Sequence, residues 1–497
     1  MNFIKKIFAP VDLTQGTPYK RLIRFAIPIL LSSILSNAFS LINSLILKTT
    51  VGGISVTAMN STGSISAILF NFAYGCTSGF AVIMANKKGK NDEKAQHTTL
   101  YTCIILSLVI GLMISVIGLS CYKQLLKFLN VSDTFISGGS NYIQILLIGF
   151  IIMLLANLMS NFVTALGNSS FSLLVSFIQT ITNVALGFLL TGAIKLNTRG
   201  VAIATICSNL VGLTINFIYL MRQFPYLRYN AGYKKIDKNT AFDCLKMGLP
   251  LGFQWSILFI GSFYQSSKVN TFGNEIIVDP TTGVKSTTGG YATMASTCYS
   301  SWESYMTIPL SVMSSALLQF VGQNYGARNK ERIKRGIKSA IIIDVIMYLL
   351  MMTIGMLTAK YVPYIFLTTA EVNERVIYYC TMYLYILCPF LICQGLLQLS
   401  RSTLQGIKKP IIPFLSGIGE LIARILVCAF IPNLINPTDP TSDASYIGLC
   451  FSTPAAWVIS VLIMGGSVIY FVIIKKLNVV DKAIELDKLE QQEKTSE

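Results

Sequence analysis

Charge is scarce in this chain of 497 residues. Asp, Glu, Lys and Arg together make up only 12%, against 53% apolar residues, and the mean hydropathy is +0.61. A water-soluble domain of this size needs a charged skin that the composition does not supply. Histidine is nearly absent: His97 stands alone, in an expected connector, and the eleven cysteines include no Cys-x-x-Cys pair. These gaps argue against a structural zinc, a thiol redox centre and a Ser-His-Asp hydrolase, so no enzyme, metal or organic cofactor is expected. No Walker pattern occurs, which removes nucleotide hydrolysis as a driving force. The opening MNFIKKIFAPVDLTQGTPYK has no apolar core followed by small residues, and no signal peptide is expected there.

What the chain has instead is apolar runs of twenty or more residues, the length an α-helix needs to cross a hydrocarbon layer of roughly 30 Å. Twelve can be placed. They are too long and lack the period-two alternation of barrel strands, as in Val109 to Ile117, so helices remain as the way to satisfy the backbone in lipid. The formal net charge of +17 does not indicate nucleic acid, because Lys and Arg concentrate in the N-terminal segment, every second loop and the C-terminal tail. By the positive-inside rule both termini are expected in the cytoplasm of a multi-pass cell-membrane protein, with the basic tract Arg328 to Lys338 facing anionic headgroups.

The chain reads as two halves of one design. RFAIPILLSS, from Arg24, parallels KMGLPLGFQW, from Lys246, so that Pro28 matches Pro250. MANKKGKNDEKA parallels VGQNYGARNKER, matching Gly89 with Gly326, and TALGNSSFSLL parallels TLQGIKKPIIPFL, matching Gly167 with Gly406. The order is kept with one insertion, placed between 270 and 290. The expected organisation is a cytoplasmic segment 1–21, a first lobe 22–221, a linker 222–243, a second lobe 244–474 and a polar tail 475–497. The fold class is all-α, with two six-helix lobes related by a pseudo-two-fold axis along the membrane normal, an arrangement that puts a binding cleft between lobes near the midplane.

The stretch GQNYGA at Gly322 to Ala327, followed by RNKERIKRGIK, resembles the multidrug and toxic compound extrusion (MATE) family. SSWESYMTIPLSVMSSALLQF from Ser300, LQGIKKPIIPFLSGIGELIARIL from Leu404 and TALGNSSFSLLVSFIQTITNVALG from Thr164 extend the resemblance over nearly the whole chain. It implies a V-shaped antiporter that exports cationic or amphiphilic organic compounds in exchange for sodium or protons. The first helix of many members carries an acid where this chain has Asn43, within LINSLIL. Asparagine can offer a carbonyl to sodium but cannot release a proton, so sodium is slightly favoured as the coupling ion.

Glu303, in a stretch without basic residues from Ala292 to Gln319, is the first candidate for coupling or cation recognition. A mid-membrane carboxylate needs a proton, an ion or a cationic substrate, unless it sits at the outer surface. Asn37, Ser40 and Asn43 share one face of the first helix, as a cavity wall or as interhelical glue. Glu420 and Arg424, four apart on one helix face, are candidates for cleft lining that are expected to pair with each other; an Arg424 turned to a cavity instead would admit an anionic substrate. Gln179, Asn183 and Gln254 are further candidates for cleft lining, and Asp344 is expected near the cytoplasmic end, hydrated or paired with Lys338. The expected partners are a small-molecule substrate and the bilayer, with the chain a monomer. Two rivals remain: a flippase or exporter of a lipid-linked or anionic solute, against which a single arginine within the spans counts, and a non-transporting scaffold or receptor.

Overall fold

A backbone in lipid must close its own hydrogen bonds, and the computed structural model does so almost entirely in helices. It describes residues 10–50, 53–128, 133–229, 236–273, 275–278, 285–288, 290–367 and 371–474, with the backbone alone for 36–50, 53–66, 123, 125–128, 133–139 and the two short strands. Segments 1–9 and 475–497 and linker residues 230–235 lie outside the described residues.

Twelve long helices follow in order among the described residues. They are α1 (Pro18–Thr50), α2 (Gly53–Gly89), α3 (Glu93–Phe128), α4 (Asp133–Ala165), α5 (Ser169–Phe188, continued by a π turn), α6 (Asn197–Gln223), α7 (Lys238–Val269), α8 (Tyr291–Gly326) and α9 (Lys330–Thr358), then α10 (Glu374–Gly406, through a 3-10 turn), α11 (Ile411–Ile435) and α12 (Asp443–Ile474). Eleven carry a described stretch long and apolar enough to cross a bilayer. Leu112, Ile117, Leu357, Leu434 and Leu462 stand exposed on their outer faces, where lipid rather than water is the matching solvent. The connector between α7 and α8, where the repeat needs its insertion, carries a hairpin of β1 (Glu275–Val278) and β2 (Lys285–Thr288).

The helices form two six-helix lobes, and the repeat is visible atom by atom at their basic ends. After Gly89, Asn91 takes a left-handed conformation, its N–H bonding Lys88 O, and Asp92 caps α3 by accepting from Ala95 N at 2.9 Å. After Gly326, Arg328 takes the same conformation, its N–H bonding Tyr325 O, and Asn329 caps α9 by accepting from Arg332 N at 3.0 Å. Each of the two glycines is pressed on the other half. A methyl at Gly89 would overlap the Gln323 carbonyl, and one at Gly326 would overlap that of Asn86. The lobes therefore touch backbone to backbone at this end.

A second contact joins α2 to α7 through small residues spaced four apart. Added methyls at Gly75 and Gly79 would strike the backbone at Leu251 and Gly248, and one at Gly252 would come within 2.8 Å of the Cys76 sulfur. This is small-residue packing on both helices, the arrangement that lets membrane helices approach closely. Nearby, Cys103 of α3 and Cys244 of α7 bring their sulfurs to 3.4 Å across the halves.

The segment before α1 straps the two halves together at the same end. Val11 N donates to Gly167 O at 2.8 Å in the first half, while Leu13, fully buried, donates from its N–H to Gln323 Oε1 at 3.3 Å in the second. Asn324 Nδ2 donates to Leu13 O at 3.1 Å. Arg332 adds Nε to Leu13 O at 3.1 Å and Nη2 to Leu13 O and Gln15 O at 2.9 and 2.7 Å. Gln323 Nε2 reaches back to Ala165 O at 2.9 Å, closing a ring of bonds between lobes.

Two expectations are corrected here. His97 lies on the first turns of α3, buried, with its ring 4.6 Å from that of Tyr101, and not in a loop. Asp344 is fully buried in α9, its two carboxylate oxygens without a hydrogen-bond partner among the described residues and pressed on Gly395 of α10. It lies in the middle of α9, away from bulk solvent, and makes no ion pair with Lys338. α10 covers it, and that packing is invisible along α9 alone.

Candidate functional site

α7, α8, α10, α11 and α12 surround a cavity of about 500 Å³ that lies wholly within the second half. Glu303 stands on its wall, twelve residues into the 36-residue α8, or about 18 Å along the helix from its non-basic end at 1.5 Å per residue. Its Oε2 accepts from Tyr383 Oη at 3.0 Å, and the Tyr383 ring is held by stacking on Tyr299 at 3.7 Å between centroids. Thr453 then links Tyr383, at 3.4 Å, to Gln265 Oε1, to which it donates at 3.0 Å. Arg424 Nη1 donates to the same Gln265 oxygen at 2.7 Å and to Thr453 Oγ1 at 3.3 Å. A continuous polar chain thus runs from the acid to an arginine through neutral groups.

The second acid of the cavity is differently placed. Glu420 Oε1 accepts from Arg401 Nη2 at 3.1 Å and from Ser460 Oγ at 2.6 Å, and both members of the ion pair are buried. Arg401 also lies over the Trp255 ring at 5.3 Å, a cation-π contact, and donates to Gln398 Oε1 at 3.3 Å. Buried charges persist only when so compensated. The expected Glu420–Arg424 pair is therefore corrected: the two share a face of α11, but Arg401 takes the carboxylate, and Arg424 turns to α7 and α12. Arg401 was missed because α10 runs on to Gly406, past the apolar run that marks it in the sequence, so that a residue at the polar end of that run is buried in the bundle. Two arginines line this cavity, and the objection to an anionic solute loses its footing.

The remaining candidates scatter. Gln254 is fully buried on α7, faces Gly417 of α11 and does not line the cavity. Both its amide atoms lack partners among the described residues. Asn183 Nδ2 approaches Thr205 and Ser208 of α6 at 3.4 Å each, and Gln179 packs on Gly212 of the same helix. These two join α5 to α6 in the first half. Asn37, Ser40 and Asn43 lie on α1, and their side chains fall outside the described residues. Trp255, Gln265, Tyr383, Gln398, Thr453 and Trp457 are cavity residues that the sequence did not single out; an aromatic or amide on an apolar helix gives no sign of which way it points.

Known proteins share this architecture. A family model described as MatE matches residues 28–189 and 288–430. The "Probable multidrug resistance protein YoeA" of Bacillus subtilis (strain 168) is 22% identical over 452 residues, 89% of this chain and 91% of its own. The "Multidrug export protein MepA" of Staphylococcus haemolyticus (strain JCSC1435) is 21% identical over 392 residues, 79% of this chain and 82% of its own. A solved structure of a multidrug resistance MATE family transporter of the MOP superfamily, in an outward-facing conformation, superposes with a TM-score of 0.80 at 19% identity, over 92% of this chain and 97% of that one. With the family model matched over more than half its length, the chain belongs to the MatE family of multi-pass membrane transporters.

Proposed function

We propose that the chain is a secondary active exporter, working as a monomer in the cell membrane, that moves an amphiphilic organic solute out through the second-half cavity in exchange for a cation bound at Glu303. One observation carries this reading. Glu303 faces a solute-sized cavity with a tyrosine as its hydrogen-bond donor and no basic group within salt-bridge distance among the described residues. A carboxylate at such a depth costs several kcal/mol unless a proton or cation joins it, so its occupancy is coupled to the state of the cavity. The strap and the paired glycines hold the basic ends of the lobes together, and by the positive-inside rule that end faces the cytoplasm. The described state is then closed to the cytoplasm, and alternating access requires those contacts to part. The names of the relatives, multidrug resistance and multidrug export, support an amphiphilic solute.

Either sodium or a proton satisfies the chemistry at Glu303, and Asn43, which cannot titrate, favours sodium. The test is uptake of a fluorescent amphiphile by reconstituted vesicles under separately imposed sodium and proton gradients. Flux driven by one gradient and lost in Glu303→Gln is expected. Flux indifferent to both gradients would overturn the coupling, and no flux for any solute would favour a scaffold or receptor.

A further inference from the structure

The four charged side chains of the cavity do not cancel in the simplest way. Glu420 is consumed by Arg401 and Ser460, and Arg401 is pinned on Trp255. That leaves Glu303 and Arg424, joined through Tyr383, Thr453 and Gln265 and not by a direct ion pair. Arg424 lines the cavity, yet among the described residues no carboxylate lies within 4 Å of it, and it donates to two neutral oxygens, Gln265 Oε1 and Thr453 Oγ1. Both are met by Nη1 alone. Nε is buried without a partner, and Nη2 donates to no described residue. Nη2 is therefore the nitrogen left to meet a solute, and a carboxylate oxygen is the acceptor that gives a guanidinium its strongest, charge-assisted bond.

From this geometry we infer that the solute carries a carboxylate and that Arg424 receives it on Nη2, which makes the cavity selective for organic acids over cations of the same size. The inference rests on the export reading and narrows its substrate class away from the purely cationic compounds that the resemblance implies. Gln265 and Thr453 serve as positioning residues: by occupying Nη1 they fix the plane of the guanidinium and leave Nη2 for the solute. The aromatic walls at Trp255, Phe259 and Trp457 suit an apolar body behind the acid group. Glu303, at the other end of the polar chain, stays available to the driving cation. An anion leaving and a cation entering move charge in the same sense, so export of such a solute is accelerated by a membrane potential negative inside.

The test uses two probes that differ in one group: a fluorescent xanthene dye with a free carboxylate, and the same dye as its ethyl ester. Equilibrium binding to the purified full-length protein in nanodiscs is measured for both, and vesicle flux for both. Wild-type protein is expected to bind the acid at least about tenfold tighter than the ester, the scale of one charge-assisted contact. Arg424→Gln should abolish that preference, and Arg424→Lys should restore it only in part, since an ammonium is a point charge without the planar guanidinium that Gln265 and Thr453 orient. Equal binding of acid and ester by the wild type, or no binding of either, overturns the inference without recourse to any variant. If the ester is nevertheless pumped by a cation gradient, the export reading survives that failure; if the acid binds with the expected preference and neither dye is pumped, the recognition stands and the export reading falls.

Discussion

The guanidinium of Arg332 at the start of α9 grips the backbone carbonyl of Leu13 with both Nε, at 3.1 Å, and Nη2, at 2.9 Å, across 319 residues of sequence. This grip ties the segment before α1 to the second half, while Val11 ties it to Gly167 in the first. Removing the side chain should free the strap. Arg332→Ala is expected to lower the thermal midpoint by several degrees, since hydrogen bonds to a charged donor are worth roughly 1.5–3 kcal/mol, and to expose residues 10–17 to limited proteolysis. An unchanged midpoint and cleavage pattern would mean the strap is held by Gln323 and Asn324 alone.

Replacing single glycines should separate the crossing helices from open surface. Gly79→Val forces a branched side chain into the α7 backbone at Gly248 and should reduce folded yield, read by fluorescence-detected size-exclusion chromatography, to near zero. Gly466→Ala meets nothing within 4 Å in α12 and should stabilise by up to about 1 kcal/mol, the gain of alanine over glycine in a helix. Similar tolerance at the two positions would contradict the close approach of α2 and α7.

Arg401 and Glu420 are both buried and joined at 3.1 Å, so neither should tolerate loss of the other. Glu420→Met and Arg401→Met are each expected to cost about 3–5 kcal/mol, the penalty of stranding a buried charge, while the double variant should cost markedly less than the sum. Thermal unfolding of the four proteins in one detergent closes the cycle. Additive losses would show that the pair is not a unit.

Cys103 and Cys244 offer a built-in crosslink between halves. A membrane-permeant oxidant should join them within one chain, arrest dye flux and release it on reduction, because α3 and α7 could no longer part. Cys103→Ser protein should transport at the original rate and ignore the oxidant. Continued flux in protein shown by peptide mapping to carry the crosslink would mean that the halves move without separating there.

Asp344 presents the opposite case from Glu420, a buried carboxyl with no partner among the described residues. Its amide isostere keeps the shape and removes the cost of any charge. Asp344→Asn is expected to equal or exceed the wild type in thermal midpoint and to keep its flux. A loss of gradient-driven flux in stable Asp344→Asn protein would assign the residue a role in coupling.

The sequence made the lipid-facing design legible because apolar length, loop charge and a repeat of Gly89 in Gly326 are all written along the chain. The helix turns after those two glycines agree down to the capping residue. The chemistry of the cavity was harder to see. Glu420 finds its partner 19 residues away, on the last turns of α10 beyond its apolar run, and the four-residue spacing to Arg424 points to a neighbour on the same helix that it does not use. Which way Gln254 or Asn183 turns depends on the rotation of one helix against the next, set by Gly417 and by Ser208 on other segments. Glu303 could be singled out because a lone carboxyl in an apolar run is costly wherever it points.

One shaft, α8, carries both the acid of the cavity and the joint between the lobes. From Glu303 to Gln323 it runs about 30 Å at 1.5 Å per residue, the thickness of the hydrocarbon layer, with Pro309 inside the helix between them. A proline removes one rung of the hydrogen-bond ladder and lowers the stiffness at that point. On the proposed exchange, cation binding at one end and lobe separation at the other would be coupled by the bending modulus of a single rod. Filling or relocating that one missing rung would retune the exchange without touching a residue that contacts solute, ion or partner lobe.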